Sequence, residues 1–478
     1  MDRTTVGELA LMLRQEITRY SPGEKLPSSR DLMQRHQVSP VTVSRAIAAL
    51  AAEGLVVSRP GAGVFRAEAP RPAAGLGDTS WQEVALSAEA GVPPARSTDA
   101  TGVLTTLATA PPEAIDLNAG YLHPSLQPER ALAGALARAG RRPGAWSRPP
   151  VEGLTELRAW FARDIADGLS AADVLIAAGG QSALSTALRS LAAPGAPVLV
   201  ESPTYPGVLA VARAAGLRPV PVPVDADGVR TDLLAEAFAA SGARLFVSQP
   251  LFQNPTGAVL TPERGREVLR IARAAGAFVV EDDFARRLVH ADAPDLPPPL
   301  AADDPDGVVV HIRSLTKPTS PNLRVAALAA RGPALARLRS VQAVDSFFVP
   351  RPLQEATLEL VGAPAWSQHQ RALAEALRER RTALAGALAR THPELLPARI
   401  PQGGFNLWVR LLATVTPEAL ATAALRGGVA VTPGTPYFTA EPPAPQLRLS
   451  YAPAESPGHL AEGARRLLHA LDQCSLTR

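Results

Sequence analysis

Lys317 is the residue whose type and surroundings most directly indicate chemistry. The chain has 48 lysines and arginines, and only Lys25 and Lys317 are lysines. Because arginine supplies positive charge elsewhere, a retained lysine favours a role that a guanidinium cannot perform. An ε-amine can lose its proton and form a Schiff base with an aldehyde, whereas a guanidinium stays charged and non-nucleophilic. An ordinary surface lysine is the alternative interpretation.

The neighbours of Lys317 suggest which aldehyde it would meet. Ser314 and Thr316 supply hydroxyls just before it, after an apolar run at residues 308–312, and Arg324 follows seven residues later. Hydroxyls and a guanidinium are the groups that bind phosphate oxygens. The spacing therefore suits an aldehyde cofactor that carries a phosphate.

Two further segments could bind parts of such a cofactor. Gly180 and Gln181 lie in a glycine-rich turn at residues 178–182, which follows a short apolar run and opens a predicted helix. The backbone N–H groups of such a turn can cradle a phosphate, although glycine turns before helices are common. Tyr205 follows the next predicted strand, in the segment 201–207, where its ring could stack on a flat ligand.

Asn254 and Asp282 each follow another predicted strand. A carboxylate at 282 could keep a pyridinium nitrogen protonated, which maintains the electron sink of pyridoxal phosphate (PLP). Helix capping is the simpler interpretation of any one such carboxylate. The order of these residues, each at a strand end where α/β proteins bind ligands, favours a single cofactor site.

The elements that position these residues alternate between predicted strands and helices, as in an α/β protein. From Asp116 onward, apolar runs alternate with long Ala/Leu/Arg helices, which predicts a mostly parallel sheet buried on both faces. The clearest runs are at 198–200, 245–247, 277–280 and 308–310. Beyond about Arg390, residues 405–410 and 446–451 alternate like half-exposed strands, consistent with a smaller α+β lobe.

Residues 1–66 have a different pattern. Ser28 and Asp31 form a capping box for a short helix, and Ser39 with Pro40 begins a third helix. That helix has apolar residues at intervals of three and four, which indicates one buried face. Residues 55–65 then read as a hairpin with a Gly-rich tip.

Composition limits the class of protein. With 46% hydrophobic and 19% charged residues, the chain can bury a large core and is unlike a disordered protein. A net charge of +3 does not by itself indicate nucleic acid. Cys474 is the single cysteine, and we find neither a signal peptide nor an apolar stretch long enough to span a bilayer. A cytoplasmic protein without membrane association or a metal site is expected.

Residues 113–478 resemble the fold-type I aminotransferases. The Asn-Pro-Thr-Gly run at 254–257 and the spacing of Lys317 and Arg324 carry the resemblance. It implies PLP as cofactor, a large domain at 113–389 and a small C-terminal lobe at 390–478. The resemblance also implies roles: Lys317 for the Schiff base, Asp282 for the pyridine nitrogen, Asn254 for the 3′-oxygen, Tyr205 for ring stacking, and Gly180, Gln181, Ser314 and Arg324 for the phosphate.

The resemblance further assigns Arg448 to a substrate α-carboxylate, which a guanidinium binds through two parallel hydrogen bonds. A surface arginine is the alternative. Two positions depart from the family pattern. Phe284 stands where the family usually has a tyrosine that contacts the 3′-oxygen, and Arg148 stands near the place of a tyrosine that a partner subunit offers to the phosphate. Both leave cofactor binding possible, and the loss at 284 predicts slow proton transfer.

Residues 1–66 resemble the GntR-type winged helix-turn-helix. The matching stretches are at 26–30, 38–43 and 61–63, and residues 25–45 hold four Lys/Arg against Asp31 alone. The resemblance implies that the start of the third helix meets DNA bases or phosphates and that the hairpin approaches the minor groove. The implied DNA-binding residues are Lys25, Arg30, Thr42, Ser44, Arg45, Arg59, Gly61 and Gly63. A small helical interaction domain with solvated arginines is the alternative.

A GntR-type winged helix followed by a linker at 67–112 and an aminotransferase-like domain is the layout of the MocR regulators. The resemblance implies a PLP-dependent transcription factor that binds a double-stranded operator, senses an amine, an amino acid or vitamin B6, and forms a head-to-tail homodimer. A working aminotransferase with an appended DNA-binding domain is the main alternative. A repressor with a vestigial, cofactor-free site is a third, which the presence of Lys317, Asp282 and Arg324 disfavours.

Overall fold

The computed structural model describes residues 6–52, 55–59, 61–67, 96–440 and 442–476. The chain divides into two compact units, Met1–Gly91 and Val92–Arg478. None of the helices in these described ranges is both long and apolar enough to cross a membrane.

The first unit contains helices α1 (Val6–Ile17), α2 (Ser29–His36) and α3 (Pro40–Ala52), followed by the antiparallel hairpin β1 (Val56–Arg59) and β2 (Gly63–Arg66). These elements bury one apolar cluster that stabilises the unit. Its members include Leu9, Leu13, Ile17, Leu32, Val43, Ala46, Ile47, Leu50 and Val56. The predicted helix face and the hairpin are confirmed.

The predicted helix starts are also confirmed. The Ser28 hydroxyl accepts from the backbone N–H of Asp31 at 3.2 Å, and the Asp31 carboxylate accepts from the N–H of Ser28 at 3.1 Å. The Ser39 hydroxyl accepts from the N–H of Thr42 at 3.2 Å. These caps satisfy N–H groups that the first turn of a helix leaves without partners. The sequence also predicts that Gly54 ends α3, and this residue lies outside the described residues.

The second unit is built on an eight-stranded sheet. After a short strand β3 (Ile115–Asp116), its strands are β4 (Val174–Ala177), β5 (Pro197–Ser202), β6 (Arg218–Asp225), β7 (Gly228–Val229), β8 (Leu245–Ser248), β9 (Phe278–Asp282), β10 (Val309–Ser314) and β11 (Ala326–Ala329). Their order is β4-β11-β10-β9-β8-β5-β6-β7. The pairs from β6 through β5, β8 and β9 to β10 are parallel, and β7, β11 and β4 join antiparallel.

The helices of the second unit cover this sheet and complete the lobe that follows it. They are α4 (Thr101–Leu107), α5 (Glu129–Ala139), α6 (Thr155–Ile165), α7 (Gly180–Leu191), α8 (Pro206–Ala214), α9 (Thr231–Ser241), α10 (Pro262–Ala275), α11 (Pro333–Asp345), α12 (Arg351–Gly362), α13 (Pro364–Ala389), α14 (Pro417–Arg426) and α15 (Pro457–Leu476). Every residue of β4, β8 and β10 is buried, as expected for a sheet covered on both faces.

The C-terminal lobe contains the antiparallel sheet β12 (Asn406–Arg410), β15 (Gln446–Ser450) and β14 (Thr432–Pro433), in that order. The prediction of half-exposed strands is wrong, because only Arg410 of β12 is exposed and no residue of β15 is. The apolar residues of both strands enter the core of the lobe. The polar residues Asn406, Arg448 and Ser450 at alternating positions are buried as well, so the alternation indicates a second covered face.

The segment before the large sheet contributes to both parts of the second unit. Strand β3 pairs in parallel with β13 (Val429–Ala430), which joins the start of the expected large domain to the C-terminal lobe. Helix α4 falls within the expected linker 67–112, yet Gly102 of this helix lies close to Pro206 and Pro436. Residues 68–95 of that linker lie outside the described residues.

Candidate functional site

The residues that the sequence singled out in the second unit converge on one pocket. Strands β5, β8, β9 and β10 are parallel neighbours, so their carboxyl ends meet at one edge of the sheet. All nine predicted residues line the pocket: Gly180, Gln181, Tyr205, Asn254, Asp282, Ser314, Lys317, Arg324 and Arg448. Further lining residues were not identified from the sequence: Thr106, Leu107, Gly120, Tyr121, Leu184, Gln249 and Phe405.

One end of the pocket has the groups that bind phosphate. Gly179 has φ of 87°, and a Cβ there would lie 2.6 Å from Cζ of Arg324, so only glycine lets the guanidinium approach. Arg324 itself has φ of 49°, an uncommon left-handed conformation that is often found at functional sites. Gly180 opens α7 beside Ser314, and the buried hydroxyl of Thr316 has no hydrogen-bond partner among the described residues. A phosphate fits this set of donors.

Lys317 follows β10 and lines the same pocket. Its Nζ donates to the carbonyl of Gly120 at 2.6 Å and lies 3.9 Å from the ring centroid of Tyr121. Burial, together with the nearby guanidinium groups of Arg448 and Arg324, lowers the pKa of Lys317 to about 7. About half of this amine is therefore neutral at physiological pH, and a neutral amine can attack an aldehyde.

Asp282 ends β9 inside the pocket. Burial raises the pKa of its carboxyl to about 6, and the hydrogen bond from Gln249 at 2.7 Å opposes that rise. Asp282 is thus mostly ionised at neutral pH and can accept from a protonated ring nitrogen. The backbone N–H of Asn254 donates to Gln249 at 3.1 Å, so both predicted cofactor residues contact the same glutamine.

Aromatic side chains form the walls. A Cβ at position 207 would lie 2.2 Å from the ring of Tyr205, so Gly207 leaves the space that this ring occupies. Burial raises the pKa of the Tyr205 phenol and keeps it neutral. Phe284 lines the pocket and offers no hydroxyl, as the sequence indicated. Arg148 is exposed and does not line the pocket of its own chain.

Arg448 is one of the most deeply buried charged residues described, with 2% exposure. Its Nη2 donates to the carbonyl of Asn118 and, at 3.4 Å, to the hydroxyl of Thr432. Its Nε has no hydrogen-bond partner among the described residues, and no carboxylate there pairs with it. A buried guanidinium with spare donors suits a ligand carboxylate and excludes the surface-arginine interpretation.

The first unit presents its predicted residues on its surface. Ser44 and Arg45 are exposed near the start of α3, Thr42 is half-buried beside them, and Arg30 is exposed at the start of α2. The hairpin tip is exposed at Arg59, Gly61 and Gly63, and both glycines have positive φ. The side chain of Lys25 packs against this hairpin, since a Cβ at position 63 would lie 2.8 Å from Cε of Lys25. Arg59 lies 4.8 Å from the ring centroid of Phe65.

The fold and the pocket define a PLP-binding protein of fold type I. A phosphate cradle, a lysine of lowered pKa, a strand-end carboxylate and an aromatic wall lie around one space, and their unpartnered donors fit the cofactor. Residues 113–467 match the family described as aminotransferase class I and II, and residues 5–65 match the bacterial regulatory proteins of the gntR family. The chain belongs to the aminotransferase class I and II family and carries a GntR-type domain before it, which is the MocR layout.

Known proteins resemble both the second unit and the whole chain. A 2-aminoadipate transaminase of Thermus thermophilus is 34% identical over 76% of this chain and 91% of its own. The HTH-type transcriptional regulator TauR of Rhodobacter capsulatus is 29% identical over 97% of both chains. The crystal structure of LysN, an alpha-aminoadipate aminotransferase of Thermus thermophilus, superposes with a TM-score of 0.75 and 30% identity, covering 84% of this chain and all of that one.

Proposed function

We propose that the protein is a PLP-dependent, DNA-binding transcriptional regulator whose aminotransferase-like unit senses a small amine, an amino acid or vitamin B6. The observation that carries the proposal is the combination, in one chain, of an exposed cationic helix-turn-helix and a pocket whose residues fit PLP. Relatives described as HTH-type transcriptional regulators match this chain over both units, and YisV of Bacillus subtilis does so over 94% of it. Binding to chromosomal DNA would place the protein in the cytoplasm.

In this proposal, each pocket residue holds one part of the cofactor. Lys317 would bind the aldehyde carbon, Asp282 would hold the proton of the ring nitrogen, and Tyr205 would pack on the ring face. Asn254 would contact the 3′-oxygen. The phosphate would be bound by Gly180, Gln181, Ser314 and Arg324. PLP, when bound, supplies an electrophilic carbon for amines and an electron sink in its ring.

Ligand binding would change contacts made by one short segment, residues 118–121. The carbonyl of Asn118 accepts from Arg448, and the carbonyl of Gly120 accepts from Lys317. A ligand carboxylate competes with the first contact, and covalent attachment of Lys317 removes the second. The segment follows α4, whose Thr106 and Leu107 also line the pocket. This connection supports transmission of ligand binding toward the N-terminal side of the second unit without any need for turnover.

The first unit would bind an operator through two surfaces. Thr42, Ser44 and Arg45 would enter the major groove at the start of α3, and Arg30 would bind a phosphate. Lys25 and the hairpin residues Arg59, Gly61 and Gly63 would approach the minor groove.

We propose that the DNA-binding domain comprises residues 1–66 and the linker residues 67–112. The large domain would then comprise residues 113–389 and the small lobe residues 390–478. We propose a head-to-tail homodimer as the assembly.

A working aminotransferase is the second candidate function. Lys317, Asp282 and Arg448 are all in place, and a relative with 34% identity is a transaminase. Phe284 argues against fast turnover, because a phenyl ring cannot donate to the 3′-oxygen. A multiple-turnover assay with a panel of amino donors and keto acids separates the two functions.

The decisive experiment for the proposal has two measurements on the purified protein. An absorption spectrum tests for lysine-bound PLP, and a mobility-shift titration with the DNA upstream of its own and neighbouring genes tests for operator binding. We expect both, with DNA affinity changed by a ligand that also shifts the spectrum. A colourless protein that does not take up added PLP, or one without affinity for any of these duplexes, would contradict the proposal.

A further inference from the structure

Gln249 joins two parts of the pocket that are distant in the sequence. It follows β8 directly and is 3% exposed. Its side-chain Nε2 donates to Oδ2 of Asp282 at 2.7 Å, and its Oε1 accepts from the backbone N–H of Asn254 at 3.1 Å. One amide thus fixes the carboxylate at the end of β9 and the turn that carries Asn254.

A second layer fixes Gln249 in turn. Glu201, fully enclosed at the end of β5, accepts from the backbone N–H of Gln249 at 3.1 Å and from the hydroxyl of Ser248 at 2.6 Å. The side-chain amide of Gln253 donates to the same carboxyl at 3.2 Å. These contacts hold the backbone at Gln249 against β5, so its side-chain amide has a defined position.

We propose that Gln249 is a positioning residue that keeps Asp282 ionised and aligned with the pyridine nitrogen of PLP while it holds the Asn254 turn against the same ring. An amide N–H stabilises a carboxylate by donating to it. Because the amide is neutral, it does so without competing for the carboxylate as a lysine or an arginine would. The inference rests on the proposed role of Asp282 in PLP binding.

The charges around Asp282 make this donor important. Burial raises the pKa of Asp282 to about 6, and the hydrogen bond from Gln249 is the largest opposing influence. Asp283 raises this pKa further, whereas His311 and Lys317 lower it. Glu201, whose own pKa burial raises to about 7, adds a second carboxyl nearby. Without the amide, the pKa of Asp282 would rise further, so more of the carboxyl would be protonated at neutral pH and its interaction with a protonated ring nitrogen would weaken.

The test compares PLP affinity of the full-length wild type with that of Gln249→Met and Gln249→Glu between pH 6.5 and 9. We expect a loss of about ten- to a hundredfold for Gln249→Met near neutral pH. The loss should shrink as the pH rises, because Asp282 then ionises even without its donor. Gln249→Glu keeps the shape and an acceptor for Asn254 but places a carboxyl against Asp282, so its loss should be at least as large. Gln249→Glu alone still provides the test if Gln249→Met does not fold.

A PLP analogue with carbon in place of the ring nitrogen is the control for a merely structural role. It cannot pair with Asp282, so Gln249→Glu, which keeps the acceptor for Asn254, should bind it within about threefold of the wild type, and Gln249→Met should lose less affinity for it than for PLP. An equal loss for PLP and the analogue, or a loss independent of pH, would overturn the role of Gln249. A wild type that binds neither compound would instead refute the PLP site itself.

Discussion

At the scale of single residues, the amine of Lys317 becomes reactive by removal from water and by neighbouring positive charge. No general base is needed, because burial and two guanidinium groups already favour the neutral form. The scarcity of lysine identified this residue, since composition is visible in the sequence. Its contacts with Gly120 and Tyr121 could not be predicted, because these residues lie far away in the chain and only the fold brings them to Lys317.

Attachment of PLP to the apoprotein should therefore accelerate as the pH rises through about 7. The neutral fraction of an amine grows with pH and is half at the pKa. The rate should therefore level off at a pH well below the usual lysine pKa of about 10.4. Stopped-flow absorbance between pH 5.5 and 9 measures this profile. Lys317→Arg keeps the charge and should abolish covalent attachment. A midpoint near 10 would contradict the enclosed position of the amine.

Phe284 predicts slow turnover in a loaded protein. We expect transamination well below the ordinary enzyme range of about 1–1000 per second. In Phe284→Tyr, a hydroxyl that donates to the 3′-oxygen should lower the pKa seen in the spectrum of the lysine-bound cofactor and should raise turnover. Spectral titration and a multiple-turnover assay on both proteins test this. Wild-type turnover within the ordinary range, or an unchanged spectral pKa in the variant, is the contrary result.

At the scale of elements, local rules predicted much of the fold. The capping serines, the apolar face of α3 and the buried strands were visible because each depends on residues close together in sequence. The burial of β12 and β15 could not be predicted in this way. Alternation shows that a strand has two different faces, but it does not show whether water or a buried polar pocket covers the second face. Arg448 lies on that second face, where the C-terminal lobe completes the site.

The start of α3 should determine DNA affinity. Arg45→Ala removes an exposed cation, so we expect weaker operator binding and a salt dependence whose slope falls by about one counterion. Mobility-shift titrations at several salt concentrations measure both effects. Arg390→Ala, which removes an exposed cation at the end of α13, is the matched control and should bind as the wild type does. Equal effects of the two substitutions would remove α3 from the interface.

At the scale of the whole molecule, the chain has two compact units, and we expect the first to bind DNA and the second to bind a small molecule. If the second unit dimerises as proposed, each dimer presents two winged helices to one duplex. An operator with two half-sites should then bind about a hundredfold more tightly, or better, than a duplex with one half-site. Titration of both duplexes, with sedimentation to establish the stoichiometry, tests this. Similar affinities for the two would indicate a monomeric DNA complex.

Because the chain has only two lysines, peptide masses can measure the fraction of protein whose Lys317 carries PLP. Pro318 follows Lys317, so the digest needs a lysine-specific protease that also cleaves Lys–Pro bonds, and such a protease cuts this chain at Lys25 and Lys317 alone. Reduction of a Schiff base at Lys317 would block that cut and leave residues 26–478 in one piece. Lys25 is exposed and would still be cut, so each digest contains its own reference. The ratio of joined to separated peptides would report the loaded fraction of the protein directly, even in a cell extract.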